Sequence, residues 1–237
     1  MHLAQILFTQ GFGARRECDA LVHFGAVRIG GQVIGDPAAE FNPAGLVLNV
    51  QGQDWPVHAK ALVLLHKPAG YECSQKPKHH PSVMNLLPPP LRRRGVQPIG
   101  RLDADTTGLL LLTDDGALIH RLTSPKKHVP KVYEIKTSDP VTDRQIEDLL
   151  QGVVLHDDPL PVRAAACEQT GERALRITLL EGKYHQVKRM LAAAGNTVVG
   201  LHRSRFGALA LPPDLAPGQW RWLAGPQDVL GPAVAKA

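Results

Sequence analysis

Two short helices and a hairpin are predicted at the start of the chain. Apolar residues recur with helical spacing over residues 3–9 and again over 14–24. After them, residues alternate on both sides of a two-glycine step, which predicts a hairpin of strands 27–29 and 32–34. We therefore expect about the first 55 residues to form a compact αα-ββ module.

A second domain is predicted to begin after a polar stretch at about residues 51–60, where we place the domain boundary. Predicted strands cover 62–66, 108–113, 131–137, 174–181 and 197–202, predicted helices about 82–87, 116–123, 142–151 and 185–194, and proline-rich loops 76–90 and 125–130. Because strands and helices do not strictly alternate, an α+β fold with a mixed or antiparallel sheet is favoured. The expected domains are 1–58 and 60–230, followed by a tail, 231–237.

The charge pattern points to a polyanionic partner. The net charge is +5, and the basic residues are bunched in several clusters rather than in one. These clusters are Arg15-Arg16, Lys76 to His80, Arg92 to Arg94, Lys126 to Lys131, Lys183 to Arg189 and Arg203 to Arg205. Such clusters bind phosphate backbones through counterion release. A single basic run would more often be an ordinary solvated surface.

Cysteine usage and hydropathy favour a cytoplasmic protein. The cysteines are Cys18, Cys73 and Cys167, which are odd in number and widely spaced, so neither a disulfide framework nor a thiolate zinc site is predicted. The longest apolar runs, 61–65 and 109–112, are too short to cross a bilayer, and no signal-peptide pattern is present. We expect no membrane association.

The N-terminal module carries the first candidate RNA contacts. Arg15 and Arg16 fall in the first turn of a predicted helix, where cations oppose the helix dipole unless an external anion binds there. The alternative is a pair of solvated surface arginines. The paired helices, with the following glycine-flanked hairpin at 25–31, resemble the S4 RNA-binding domain over about residues 1–55. This resemblance implies that the module binds RNA.

A loop bearing carboxylates precedes an apolar strand at residues 100–116. A side chain anchored by such a strand can be oriented and partly desolvated, as a nucleophile or general base requires. Asp103 and Asp105 are two residues apart, so in an extended segment they point to opposite sides, which predicts one working carboxylate. From spacing alone, both are equally well explained as loop or capping residues.

Two further segments combine basic and aromatic side chains. Lys131 and Tyr133 lie on one side of a predicted strand that follows a basic loop. The alternative interpretation is an edge-strand tyrosine packed on a lysine stem. His185, Lys188 and Arg189 occupy the polar face of a predicted helix, which would otherwise be a solvated basic face.

Together these segments resemble the motifs of the RsuA-type ribosomal RNA pseudouridine synthases. Gly100-Arg101-Leu102-Asp103, followed by Thr106-Thr107-Gly108-Leu109, is similar to the central motif of the family. The Lys-x-Tyr at 131–133 and the segment 181–196 are similar to its second and third motifs. Further agreement at 66–74, 201–207 and 215–221 extends the resemblance over almost the whole chain except 225–237.

The resemblance implies a mechanism in which one carboxylate works without a metal or organic cofactor. Asp103 is the essential aspartate and acts at C1′ of the target uridine, by direct attack or by promoting glycal formation. Tyr133 stacks on the uracil and assists removal of the C5 proton. Lys188 pairs with Asp103. From its position beside Asp103, we further expect Arg101 to fill the space that the flipped nucleotide leaves.

The resemblance also implies ribosomal RNA as the partner, with small-subunit (16S) RNA favoured over large-subunit (23S) RNA, free or within an assembly intermediate. The expected enzyme is a monomer. Its expected RNA-binding residues are Arg15, Arg16, Arg101, Lys131, His185, Arg189 and Arg203. Two other classes remain open: an S4-type ribosome assembly protein without catalysis, and a metal-dependent nuclease, for which His79-His80 lacks fitting partners in the sequence.

Overall fold

The computed structural model describes residues 1–156 and 158–231 and divides into two compact units. The first unit is Met1–Ala61 with Leu87–Gln97, and the second is Leu62–Leu86 with Pro98–Ala237. Residues 232–237 of the expected tail lie outside the described residues. None of the helices in the described ranges combines the length and apolar character needed to cross a membrane.

The first unit contains three helices and a four-stranded antiparallel sheet. Its elements are α1 (Leu3–Thr9), α2 (Arg15–His23), β1 (Val27–Ile29), β2 (Gln32–Val33), β3 (Val47–Val50), β4 (Gln53–Pro56) and α3 (Pro89–Arg93). The strand order is β2-β1-β3-β4. The expected helices and hairpin are present, whereas β3 was not predicted and β4 lies in the polar stretch where the domain boundary was expected. The pairing of β4 with β3, which itself pairs with β1, outweighs that polarity.

A buried glutamine attaches the segment Leu87–Gln97 to the first unit. The side-chain oxygen of Gln10, which is 2% exposed, accepts a hydrogen bond from Arg94 at 2.8 Å. Arg94 also donates to the carbonyl oxygen of His58 at 3.0 Å. Arg93 donates to a backbone carbonyl between α1 and α2 at 3.0 Å. These two arginines of a cluster expected to track phosphates are thus engaged, at least in part, in holding their own unit together.

The second unit is built on a large mixed sheet. Its strands are β5 (Leu62–Lys67), β7 (Thr107–Thr113), β8 (Lys131–Thr137), β9 (Val153–Leu155), β10 (Asp158–Val162), β11 (Ala166–Gly171), β12 (Ala174–Leu179), β13 (Val198–Phe206), β14 (Leu209–Ala210) and β15 (Trp220–Trp222), and β6 (Gln97–Pro98) lies at the division between the units. The main strand order is β11-β12-β8-β13-β7-β5-β15, and β9 pairs with β10 separately. Strands β7 and β13 run parallel, and the other pairs along the main order are antiparallel.

Short helices accompany this sheet. They are α4 (Gly116–Thr123), α5 (Asp143–Gln151), α6 (Gln186–Ala193) and α7 (Gln227–Leu230), together with 3-10 turns at Val83–Leu86 and Pro125–Lys127. The apolar core lies between strands β5 and β7 and helix α4, where Leu64, Leu111 and Leu122 are fully buried. Continuous apolar runs predicted β5 and β7, because strands buried on both faces need no polar alternation.

Some elements differ from the sequence-based prediction. The expected helix at 82–87 is a 3-10 turn. Helix α3 begins at the end of the expected proline-rich loop 76–90, because Pro89 occupies the first helical position, where its missing N–H costs nothing. Strand β13 continues to Phe206, well beyond the expected end at residue 202. The continuation carries the charged residues Arg203 and Arg205.

Gly108 allows the parallel strands β7 and β13 to approach each other closely. It pairs with Arg203 and has a φ of +108°, in the region that favours glycine. A Cβ atom at this position would lie 2.3 Å from the carbonyl oxygen of Arg203. A side chain here would therefore force the two strands apart.

Replacing Gly108 with alanine should lower the free energy of unfolding by about 2 kcal/mol or more, since overpacking costs about 1–3 kcal/mol and a left-handed backbone adds to it. Urea denaturation measures this change. Gly116→Ala is the matched control, because nothing lies within 4 Å of its Cβ position. Equal stabilities of the two variants would contradict the close approach of the strands.

Candidate active site

The loop before β7 places both of its carboxylates on one side. Asp103 begins a turn that closes where the N–H of Thr106 donates to the Asp103 carbonyl oxygen at 3.1 Å. The expectation that Asp103 and Asp105 point to opposite sides is therefore wrong, because it assumed an extended chain. In the turn, both carboxylates reach the ammonium of Lys188.

Asp103 lies between two side chains of the segment that starts α6. One of its oxygens is 3.1 Å from Nζ of Lys188, and the other is 3.2 Å from Nε2 of His185. The Asp103 side chain is 26% exposed, so it is partly desolvated but still open to a ligand. The expected pairing of Asp103 with Lys188 is present in the structure.

Lys188 is shared unequally between the two aspartates. Asp105 accepts from Nζ through both oxygens, at 2.7 and 2.8 Å, although its side chain is 71% exposed. Burial alone would lower the pKa of Lys188, but its hydrogen bonds to Asp105 and Asp103 outweigh that effect, so the pKa is raised. The hydrogen bond from Lys188 also lowers the pKa of Asp105. The two carboxylates therefore favour the charged form of Lys188.

A fully buried lysine supports the turn from beneath. Nζ of Lys67, the last residue of β5, donates to the carbonyl oxygens of Pro68 (3.1 Å), Asp103 (3.0 Å), Ala104 (3.1 Å) and Thr106 (2.7 Å). Burial lowers the pKa of Lys67, and the nearby thiol and carboxylates oppose that effect. These hydrogen bonds fix the backbone from which the Asp103 side chain projects.

A buried glutamine shapes the loop opposite Asp103. The side-chain oxygen of Gln186 accepts from the N–H of Lys183 at 2.7 Å, and its amide group donates to Glu181 at 3.1 Å. His185, which follows this loop, has a φ of +48°, and its ring stacks on Tyr184 with centroids 3.8 Å apart. The loop thus presents His185 towards Asp103 and keeps Tyr184 70% exposed.

The sheet supplies the remaining wall of the pocket. Tyr133 on β8 pairs with Arg203 on β13, and Lys131 pairs with Phe206. Tyr133 is 9% exposed, so one part of it is packed and another borders the pocket. Desolvation and the neighbouring Arg203 lower the pKa of Lys131 to about 8.

A second, more open groove adjoins the pocket. Its far wall is the loop containing Lys78, His79 and His80, whose three backbone N–H groups donate to the carboxylate of Glu72 at 2.8 to 3.1 Å. These hydrogen bonds lower the pKa of Glu72. Tyr184 lies on the other side of the groove.

The structure gathers most of the predicted site residues around this pocket. Those that line it are Arg101, Asp103, Lys131, Tyr133, His185, Lys188 and Arg203. Arg189 instead donates to the carbonyl oxygen of Tyr184 at 3.0 Å. Arg15 and Arg16 lie exposed in the first unit, where the Arg15 guanidinium lies 5.2 Å from the ring centroid of Phe8.

Sequence reasoning missed several residues that shape the site. Lys67 has a recognisable signal, since it is a lone cation at the end of an otherwise apolar strand. Gln186 and Phe206 have none, because a buried glutamine and a core phenylalanine look ordinary in a sequence. Tyr184 stood beside assigned residues but was assigned no role.

The arrangement combines two carboxylates that share Lys188 with a phenol and further cations. Such a donor set attracts an anionic ligand rather than a metal ion, because the carboxylates of Asp103 and Asp105 are already paired with Lys188. A carboxylate held in this way suits nucleophilic or proton-transfer chemistry on a phosphate-bearing substrate.

Comparison with known proteins identifies that chemistry. Residues 61–193 match the model of the RNA pseudouridylate synthase family, which spans more than half of the chain. The chain belongs to this family. The resemblance to RsuA-type pseudouridine synthases found in the sequence is thereby confirmed, and the protein is an enzyme.

Individual relatives agree with the family assignment. The uncharacterized RNA pseudouridine synthase YtzG of Bacillus subtilis (strain 168) is 39% identical over 226 residues, covering 94% of this chain and 95% of that protein. The ribosomal small subunit pseudouridine synthase A of Escherichia coli (strain K12) is 45% identical over 164 residues, covering 69% and 71%. The crystal structure of a pseudouridylate synthase superposes with a TM-score of 0.66 at 32% identity, covering 94% and 96%. The expected synthase fold with a mixed sheet is confirmed.

Replacing Lys67 with methionine removes the donor that its surrounding carbonyl groups share. We expect the free energy of unfolding to fall by about 1–3 kcal/mol, because buried carbonyls lose their partner. Pseudouridine formation by the folded fraction should fall further, because the turn that carries Asp103 is no longer held. Urea denaturation and an activity assay below the unfolding transition separate the two effects.

Lys136→Met is the control for this substitution, since Lys136 is an exposed lysine on β8. It should leave both quantities close to those of the wild type. A folded Lys67→Met protein with wild-type activity would show that the position of Asp103 does not depend on the buried ammonium.

Proposed function

We propose that this enzyme converts a uridine of small-subunit (16S) ribosomal RNA into pseudouridine, with Asp103 as the catalytic carboxylate. The substrate class is supported by relatives named ribosomal small subunit pseudouridine synthase A, of which the Escherichia coli protein is 45% identical in the aligned region. The assignment of Asp103 rests on its position at the mouth of the pocket, paired with Lys188 and His185.

The reaction needs no redox change and no transferred group. The bond from C1′ to N1 of the uracil breaks, the base turns while it stays bound, and C1′ joins C5, which then loses its proton. Asp103 acts at C1′, either by attack or by assisting glycal formation, and both routes need a carboxylate at the same place. Tyr133 packs against the uracil and aids loss of the C5 proton.

The target nucleotide must leave its helical stack to reach Asp103. Arg101, which is exposed and borders both the pocket and the adjoining groove, is placed to occupy the vacated space. The neighbouring RNA strand then follows the groove, whose lining includes Lys78, His185 and the exposed ring of Tyr184. Aromatic rings among cations are the usual platform for unstacked nucleotides.

The first unit serves as a separate RNA-binding module of the S4 type in this proposal. The paired helices α1 and α2 and the hairpin of β1 and β2 support it, as do the exposed cations Arg15 and Arg16 at the start of α2. Its proposed extent is residues 1–58, and the catalytic domain is 60–230. Phosphate contacts of this kind position an RNA without specifying its sequence.

Replacing Asp103 with asparagine should reduce tritium release from C5-labelled uridine by at least about a thousand-fold, because the amide cannot act at C1′. The assay uses unmodified 16S and 23S ribosomal RNA in parallel. Wild-type release from 16S RNA alone supports the proposed substrate. Release from 23S RNA would keep the reaction and overturn the substrate.

Asp105→Asn is the matched control, because it also removes a carboxylate from Lys188 but leaves Asp103 in place. Its loss of activity should be far smaller than that of Asp103→Asn. Equal losses would assign the effect to Lys188 rather than to Asp103. If the wild-type enzyme releases tritium from neither 16S nor 23S RNA, the proposed ribosomal substrate is contradicted.

A further inference from the structure

Two cations expected to track phosphates are instead buried at the base of the pocket. Lys131 is 7% exposed and Arg203 is 2% exposed, although both border the pocket. A phosphate backbone runs along a surface and reaches such groups poorly. Whatever these cations bind must enter the pocket itself.

A β-bulge brings both cations to the same place. Arg203 on β13 pairs with Tyr133 on β8, and Phe206 pairs with Lys131. The first strand therefore uses three residue steps where the second uses two, which leaves one extra residue on β13. The extra residue turns both Arg203 and Phe206 towards the face that carries Tyr133 and Lys131. As a result, Cζ of Arg203 and Nζ of Lys131 lie 5.2 and 5.3 Å from the centroid of the Phe206 ring.

The hydrogen-bonding capacity of this cation pair, Lys131 and Arg203, is not used up. Nε of Arg203 donates to the carbonyl oxygen of Leu109 at 2.8 Å, and Nζ of Lys131 donates to that of Val129 at 2.8 Å. Among the described residues, the buried Nη2 of Arg203 has no hydrogen-bond partner. A buried charged donor without a partner is costly unless a ligand supplies the acceptor.

We propose that the cation pair binds the negative charge that appears on the uracil when its bond to C1′ breaks. The electron pair of the C1′–N1 bond stays with the base, which becomes an anion whose charge spreads to its carbonyl oxygens. Arg203 donates to one such oxygen, and Lys131 adds its charge from beneath. When C1′ joins C5, the C5 proton leaves, N1 takes up a proton, and the charge disappears.

This inference rests on the proposed function and assigns it a further catalytic group. Donors aimed at a developing charge contribute most when they are fixed in advance and shielded from water. Both conditions hold here, since the cross-strand pairing with Tyr133 and Phe206 fixes the pair within the sheet. Tyr133, which we place against the uracil, is the direct neighbour of Arg203.

The first test replaces Arg203 with glutamine, which keeps a donor but removes the charge. We expect the single-turnover rate on the active ribosomal RNA transcript to fall by about 100-fold, with the Kd for the RNA changed by less than about three-fold. An equal weakening of RNA binding, or an unchanged rate, would overturn the proposal and indicate a phosphate-binding or structural role. Wild-type turnover in the same assay shows that the proposed function itself holds.

A leaving-group comparison separates charge stabilisation from structural damage. A transcript that contains 5-fluorouridine has a base that carries negative charge more readily, so the loss caused by Arg203→Gln should be smaller with it than with uridine. Disappearance of the target nucleoside is followed by mass spectrometry of digested RNA. The same loss with both bases would exclude a role in stabilising the anion.

The second test uses Lys131, whose substitution by arginine keeps the charge. Burial, together with the charge of Arg203 on β13, lowers the pKa of Lys131 to about 8, and the carboxylate of Glu181 after β12 opposes that effect. Lys131 therefore loses its charge as the pH rises through about 8, and the wild-type single-turnover rate should fall there. In Lys131→Arg the fall in single-turnover rate should move to higher pH. A pH profile identical to that of the wild type would show that the charge of Lys131 does not contribute to the reaction.

Discussion

The site depends on one buried ammonium group. Lys67 ends a strand of the core and donates to carbonyl oxygens on both sides of the Asp103 turn, so the turn cannot move without breaking hydrogen bonds that water does not replace. A carboxylate on a loop is normally mobile. Here the Lys67 hydrogen bonds tie the loop to strand β5 and so hold Asp103 in position.

Charge in the pocket is arranged in two layers. At the mouth, Lys188 is held by Asp105 through both oxygens and by Asp103 through one, so Asp103 is the more weakly bound partner. At the base, Lys131 and Arg203 lie on Phe206. Their side chains donate to the backbone carbonyl oxygens of Val129 and Leu109. This separation leaves Asp103 accessible at the mouth and keeps the positive charge of Lys131 and Arg203 at the base of the pocket, as the proposed chemistry requires.

The accuracy of the sequence-based prediction varied with how local the determining forces are. Strands β5 and β7 and helix α6 were predicted closely, because apolar runs and helical spacing reflect short-range packing. Strands β3 and β4 were not, since the polar strand β4 is stabilised by pairing with β3, which is itself held by pairing with the earlier strand β1. The pairing of Lys188 with Asp103 came from family resemblance, and the turn that adds Asp105 came from the structure.

The sequence by itself determined the kind of enzyme, the α+β class of its fold and most of the residues around the pocket, because motifs keep chemically necessary groups in fixed local order. The tertiary structure decided which cations face solvent and which face the substrate. Lys131 and Arg203 look like surface charges in the sequence, and a bulge in strand β13 buries them together. Burial depends on register between strands far apart in the chain, and no local pattern records that register.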